Sequence, residues 1–118
     1  MTIFPANERT SSRYTGQIVD EVGVGVPASL LVTLTLTLFD DDTGAIINSR
    51  NHQNVLNANG VSVDSVGMVV WIIDPLDVVV LSGREIESHT AVFAWTWSGS
   101  KAGNHSFQMA VANARQVP

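Results

Sequence analysis

Apolar and polar residues alternate without a break in one stretch near the start of the chain. Valine and leucine take every second position and threonine the positions between: Val32, Leu34, Leu36 and Leu38 against Thr33, Thr35 and Thr37. Successive side chains of a strand point to opposite faces, so this period of two predicts a strand with one buried face. The β-branched threonines suit a pleated surface that faces water. The rest of the chain is expected to cover the leucine face.

Shorter runs with turn residues between them predict further strands. They are expected at residues 14–19, 45–49, 54–56, 61–64, 68–73, 78–81, 89–97 and 105–113, and residues 98–104 are expected to form a hairpin loop. No stretch has the three-and-four spacing of an amphipathic helix. Many short strands separated by turns predict an all-β domain, an antiparallel β-sandwich of seven to nine strands. A small closed β-barrel is the alternative.

Two segments have apolar residues that one domain does not need for its own core. The predicted strand 68–73, MVVWII, is apolar on both faces, which is typical of a strand covered on both sides. Residues 1–13 are expected to be an arm, bound to a partner or frayed, outside a sandwich domain of residues 14–118. The residues expected to bind a partner are therefore Ile3 and Phe4 on the arm and Val70 and Ile72 on the strand.

Composition narrows the classes of function. The chain has 118 residues, enough for one domain, and no cysteine, so disulfides and thiolate metal sites are excluded. A net charge of −5 argues against nucleic acid and anionic membranes as partners. Only 14% of residues are charged, which indicates that other chains cover part of the surface. No signal peptide and no membrane-spanning run are evident.

A resemblance adds to this interpretation. It rests on VDEVGVGVPASLLVTLTLTLFDDDTGAIIN, NVLN, the Asn59-Gly60 turn, a strand that ends in Asp-Pro, and EIESHTAVFAW. From about Gly16 to Val111 the chain resembles immunoglobulin-like sandwich proteins and, more narrowly, small virion proteins of tailed bacteriophages. It lacks the cysteine pair and the strand-C tryptophan of antibody domains. The resemblance implies a non-catalytic structural subunit located in the virion. Such a subunit decorates or stabilises the capsid, or belongs to the neck or tail, and its partners are virion chains including its own copies.

Aspartates and histidines are the first candidates for a metal site. Asp40, Asp41 and Asp42 offer oxygen ligands for Ca²⁺ together with Asp20 or Asp74. The spaced D-x-D-x-D-G loop is absent, so a turn that caps its own backbone is favoured. The three histidines have no metal-ligand spacing; they are His52, His89 and His105. No metal and no cofactor is therefore expected.

Other polar residues could support catalysis or sugar binding. Glu85, Glu87 and His89 alternate along one face of a strand, but no nucleophile accompanies them, so a hydrogen-bonded edge is favoured. Residues 98–100 contain two serines but lack the strand–turn–helix setting of a nucleophile. Three tryptophans could stack on sugars, although tryptophans of alternating strands usually belong to the core; they are Trp71, Trp95 and Trp97.

Three classes of function remain. A structural or assembly protein that binds other protein chains is favoured, because charge is scarce and apolar surface is in excess. A recognition module for carbohydrate or a cell surface, which binds through loops at one end of the sandwich, is the alternative. An enzyme is disfavoured, since no catalytic group of residues can be recognised.

Overall fold

Eight strands account for most of the part of the chain that the structure describes. The structure is a computed structural model and describes residues 3–7, 10–81, 85–98 and 100–112, with the backbone alone for residues 3, 4 and 7. The strands are β1 (Ile3–Asn7), β2 (Ser12–Gln17), β3 (Leu31–Asp40), β4 (Gln53–Asn54), β5 (Val61–Val63), β6 (Met68–Ile73), β7 (Ile86–Trp97) and β8 (Lys101–Ala112). Two single-turn 3₁₀ helices span Ala28–Leu30 and Pro75–Asp77. Among the described residues, no helix is long and apolar enough to cross a membrane.

The strands form two open sheets that pack face to face. The larger sheet has the order β1-β8-β7-β3-β4 and the smaller sheet the order β2-β6-β5. All neighbours are antiparallel except β1 and β8, which run parallel. This arrangement corresponds to the GFCC′ and BED sheets of immunoglobulin domains. The fold is thus an immunoglobulin-like β-sandwich, as predicted, and the closed-barrel alternative is wrong.

The alternating stretches predict the long strands well and the short connections poorly. Residues 45–49, expected to be a strand, contain a single bridge between Ile46 and Phe39, and residues 78–81 are not a strand. Ile47 and Val78 are nevertheless buried, so these segments contribute apolar side chains without pairing. The hairpin after β7 is also tighter than predicted, because β8 already begins at Lys101.

A register shift in β3 changes which residues form its buried row. Leu31 pairs with Trp97 and Thr33 with Thr96, so one extra residue is accommodated at Val32. A bulge of this kind interrupts the alternation, so the side chain of the extra residue no longer points to the face that the pattern predicts. Val32 is 60% exposed, whereas Leu31 is buried. The predicted inward position of Val32 is therefore wrong, and the predicted positions of Leu34, Leu36 and Leu38 are correct.

Aromatic rings join the two sheets at the centre of the core. Tyr14 of β2 stacks on Phe107 of β8, with ring centroids 4.2 Å apart, and the edge of Trp71 meets Phe93 at 5.8 Å. Trp71 and Phe107 are fully buried. Burial raises the pKa of the Tyr14 phenol above its usual value. Large rings of this kind contribute much of the apolar area that a small domain buries.

The first strand differs from the expected arm. β1 pairs in parallel with β8 of the same chain, from Ile3 opposite Gln108 to Asn7 opposite Ala112, and β2 begins at Ser12. Residues 3–7 of the expected arm are thus a strand of the larger sheet. An edge strand tolerates Pro5, which has no amide hydrogen to donate, and this proline and the polar residues after it concealed the strand in the sequence. The side chains of Ile3 and Phe4, expected to bind a partner, lie outside the described residues.

Candidate functional site

The three long strands of the larger sheet carry no charged side chain at their described outward positions. Most of these positions hold small neutral residues, Phe39 and Ile86 are the large apolar ones, and none of the described ones is acidic or basic. We call the following set the neutral face: Thr33, Thr35, Thr37, Thr90, Val92, Ala94, Thr96, Ala102, Asn104, Ser106 and Gln108. Surfaces of small domains normally carry charges of both signs. A surface without them is suited to contact with another protein.

Hydrogen bonds within the sheet hold the threonines of the neutral face. The hydroxyls of Thr33 and Thr96 lie 2.7 Å apart across the strands, and the Thr35 hydroxyl donates to the Ala94 carbonyl at 3.4 Å. Thr37 accepts the backbone N–H of His52 at 3.0 Å. Polar groups that already have partners cost less to remove from water. The free-energy cost of removing water from this face when a partner binds is therefore lower than its number of hydroxyls suggests.

Asp41 closes one end of the neutral face. The Ser88 hydroxyl donates to its carboxylate at 2.5 Å, the Thr90 hydroxyl donates to its other oxygen, and the Gln108 amide lies at 3.4 Å. Asp41 therefore links β3 to β7 and β8 through side chains. Hydroxyl donors from β7 already bind both oxygens of Asp41, so the role of this carboxylate is to stabilise the sheet.

The aspartates that the sequence offers as candidate calcium ligands lie in different environments. Asp40 is buried and Asp42 is exposed on either side of Asp41. Asp20 accepts two backbone N–H groups of its own turn, each at 3.0 Å, and Asp74 caps the 3₁₀ helix that follows it. The structure therefore assigns Asp20 and Asp74 to capping and does not show them joined to Asp40–Asp42 in one oxygen cage.

Asp40, Glu87 and His89 converge inside the sandwich. Glu87 and His89 are fully buried on the inward row of β7, and Asp40 lies opposite His89 in the strand register. His89 Nε2 is 2.5 Å from Glu87 Oε1 and 3.9 Å from Asp40 Oδ1. The hydrogen bonding predicted for Glu87 and His89 is present, but its predicted position at a sheet edge is wrong, because β7 lies between β8 and β3. Glu85, which was expected to join them, is exposed and precedes β7. His52 and His105 are exposed on other strands or loops.

The outward row of the smaller sheet is the second surface to which the sequence pointed. Val70 is half-buried and Ile72 is 51% exposed, and both point outward from the central strand β6. Their cross-strand neighbours on β2 are Thr15 and Arg13. The apolar row therefore lies on β6 alone, with polar residues beside it on β2. It is narrower than the neutral face, which extends over three strands.

The tryptophans and the serine loop give little support for sugar binding or catalysis. Trp71 and Trp97 are buried, so their rings are not available for stacking on a ligand. Trp95 is half-buried and packs against Gly103, where an added Cβ would lie 2.8 Å from its ring. Ser98 is exposed in the turn between β7 and β8, at a positive φ of 50°.

One buried ion pair was not predicted. Arg50, in the segment after β3, donates from Nε to Asp77 Oδ1 at 2.5 Å and from Nη2 to Oδ2 at 3.1 Å. Arg50 is 4% exposed and Asp77 is fully buried. Gln53 and the Asn59 carbonyl accept further hydrogen bonds from the guanidinium. The two partners come from separate loops, and no local sequence pattern joins them.

Comparisons with solved structures show a likeness to an immunoglobulin-domain module. The chain is similar to the N-terminal Ig1-2 module of the Drosophila receptor protein tyrosine phosphatase DLAR, at 10% sequence identity and a TM-score of 0.42. The likeness covers 99% of this chain and 48% of that one, so the chain spans about half the length of that structure. No family model and no curated protein sequence matches the chain.

Proposed function

We propose that the protein is a non-catalytic structural module that associates with a second copy of itself through the neutral face. The observation that carries this proposal is the absence of charge over the described outward positions of β3, β7 and β8. A chain of net charge −5 repels its own copies. Contact through an uncharged face places no like charges directly opposite each other.

The chemistry of the neutral face suits a two-fold contact, and its size suits a weak one. Strands about 4.8 Å apart, with a rise of about 3.3 Å per residue, give a face of three strands and about seven residues a plan area of about 330 Å². The accessible surface of such a face exceeds its plan area but stays below the roughly 800 Å² per partner of standard interfaces, as in weak or transient complexes. Threonine, serine and alanine lose little side-chain entropy on burial. In a two-fold contact the same neutral patch meets itself, so it needs no matching charges.

A charged substitution at the centre of the neutral face tests this proposal. Ala94 lies on β7 between Thr35 and Asn104, and Ala94→Arg would place two buried cations close together in the dimer. We expect the dissociation constant of the dimer to rise at least tenfold, as measured by sedimentation over a concentration series. The thermal midpoint of the monomer should stay nearly unchanged, because the arginine of the monomer extends into water.

Thr15→Arg is the matched control, because Thr15 is exposed on the outer face of the smaller sheet. It should leave the dimer intact. A wild-type chain that remains monomeric at every concentration would contradict the proposal. Equal weakening by both substitutions would also contradict it, since that result would reflect net charge and not the neutral face.

We further propose a tailed-phage particle as the setting, with other virion chains as partners. The support is the sequence resemblance from about Gly16 to Val111 and the apolar row at Val70 and Ile72, which stays open in a dimer formed through the neutral face. Mass spectrometry of purified particles should detect the chain. Its absence from the particles would contradict this setting and leave the dimer proposal standing.

Carbohydrate binding is the alternative function. Of the three tryptophans, Trp95 alone is partly accessible for stacking on a sugar ring.

A further inference from the structure

We propose that Asp40, Glu87 and His89 bind a divalent transition-metal ion inside the sandwich, with Zn²⁺ as the reference ion. One ligand atom from each residue lies within 4.8 Å of the other two, and all three residues are buried. Asp40 ends β3, and Glu87 and His89 lie near the start of β7. The site therefore joins two neighbouring strands at one end of the core. This inference departs from the sequence-based expectation that the chain binds no metal.

The distances are compatible with a tetrahedral ion after small side-chain movements. Zinc binds histidine nitrogen at about 2.0–2.1 Å and carboxylate oxygen at about 2.0–2.2 Å, so tetrahedral ligand atoms lie about 3.4 Å apart. His89 Nε2 is 2.5 Å from Glu87 Oε1 and 3.9 Å from Asp40 Oδ1. The required separation falls between these two values. A movement of the imidazole by less than about 1 Å would make both separations suitable.

An unpartnered oxygen of Asp40 is a second, independent observation. The Thr43 N–H and hydroxyl donate to Asp40 Oδ2 at 3.1 and 2.8 Å, which fixes the carboxylate. Oδ1 has no hydrogen-bond partner, although the side chain is only 3% exposed, and it lies toward His89 Nε2. A buried carboxylate oxygen without a donor is costly. A bound cation would supply the missing partner.

The other two ligands fit the same interpretation. The Leu81 N–H donates to both oxygens of Glu87, at 3.0 and 3.1 Å, and such an outer contact orients a ligating carboxylate. The combination of imidazole and carboxylate favours zinc and similar ions over Ca²⁺ and Mg²⁺, which take oxygen ligands. Coordination through Nε2 puts the proton of His89 on Nδ1, which has no acceptor within the described part of the chain. We therefore expect weaker binding than in sites whose second nitrogen is hydrogen-bonded.

Metal addition to the chelator-treated full chain tests the proposal. The chain is refolded in the presence of a chelator and dialysed, and Zn²⁺ or Co²⁺ is then added. We expect one Co²⁺ per chain, with the visible absorption of four-coordinate cobalt, and a rise of the thermal midpoint by about 5 °C with excess Zn²⁺. His89→Gln and Asp40→Asn should remove the cobalt absorption. His52→Gln, which changes an exposed histidine, should keep it.

Two results would overturn the metal site. The first is a wild-type midpoint that Zn²⁺ does not raise, together with no cobalt absorption. The second is the same absorption and stabilisation in His89→Gln as in the wild type. If the two core variants do not fold, the wild-type titration decides by its stoichiometry: one ion per chain supports the site, and none contradicts it. Neither result depends on dimer formation, so the metal site and the proposed function are tested separately.

Discussion

Leu36→Asp is expected to abolish soluble folding. Leu36 is fully buried in the inward row of β3 and lies opposite Phe93 in the strand register. The substitution removes about 1.5–3 kcal/mol of apolar burial. It also leaves a carboxyl group in the core without a partner, which costs several kcal/mol more. Together these losses approach the whole stability of a small domain, about 5–15 kcal/mol. The soluble fraction and the far-UV circular dichroism spectrum measure the effect.

Thr35→Asp is the control for this experiment. Thr35 is the next residue along β3, but its side chain is on the neutral face and partly exposed to water. The aspartate should remain hydrated there, so the chain should fold with a modestly lowered thermal midpoint. Equal loss of folding in both variants would show that the two faces of β3 are assigned wrongly.

Asp77→Ala is expected to lower the free energy of unfolding by about 3–5 kcal/mol, because it leaves a buried cation without its partner. Arg50 is 4% exposed, and both oxygens of Asp77 accept hydrogen bonds from it. Asp77 also accepts the backbone N–H of Asp74 at 2.9 Å, so the 3₁₀ helix loses part of its cap. Urea denaturation followed by tryptophan fluorescence measures the change.

The double variant Arg50→Met with Asp77→Ala separates the two causes. It removes the unpaired cation, so it should be more stable than Asp77→Ala alone. The exposed pair of Lys101 and Glu21 is the matched control. The hydrogen bond from Lys101, 2.7 Å long, lowers the pKa of Glu21, but both side chains are largely exposed. Lys101→Ala should leave the denaturation midpoint nearly unchanged. A double variant as unstable as Asp77→Ala would contradict the ion-pair explanation.

The sequence predicts a strand of this fold correctly where the strand has a local pattern of apolar and polar residues. The alternation of leucine and threonine gives the buried row of β3 from Leu34 to Leu38, and the length of β6 is predicted correctly. The bulge at Val32 was not predictable, because it arises from the register between β3 and β7 and leaves the local alternation intact. β1 was missed for a similar reason. Its pairing depends on β8, which lies at the other end of the sequence.

The candidate sites depend even more on contacts between residues that are distant in sequence, so the sequence predicts them less well. Asp40 and His89 become neighbours only because β3 pairs with β7, and Arg50 meets Asp77 only because two loops pack together. Strand neighbours are set by packing of the whole sandwich, and the spacing of residue types does not report them. The neutral face could be anticipated in part. The alternation in β3 predicts outward threonines, whereas no comparable alternation marks the matching small residues of β8 from Ala102 to Ser106.

The parallel pairing of β1 with β8 has a consequence for synthesis on the ribosome. β1 is translated well before β8, because its register joins Ile3 to Gln108, and it must wait for that partner strand to emerge. Contacts between residues so distant in sequence form slowly, because a long loop must close before they form. The β3–β7 pairing can form before β1 finds its place. Until then the free edge of β8 is open to a strand from another nascent chain, which makes crowded polysomes the place where this protein is most exposed to misassembly.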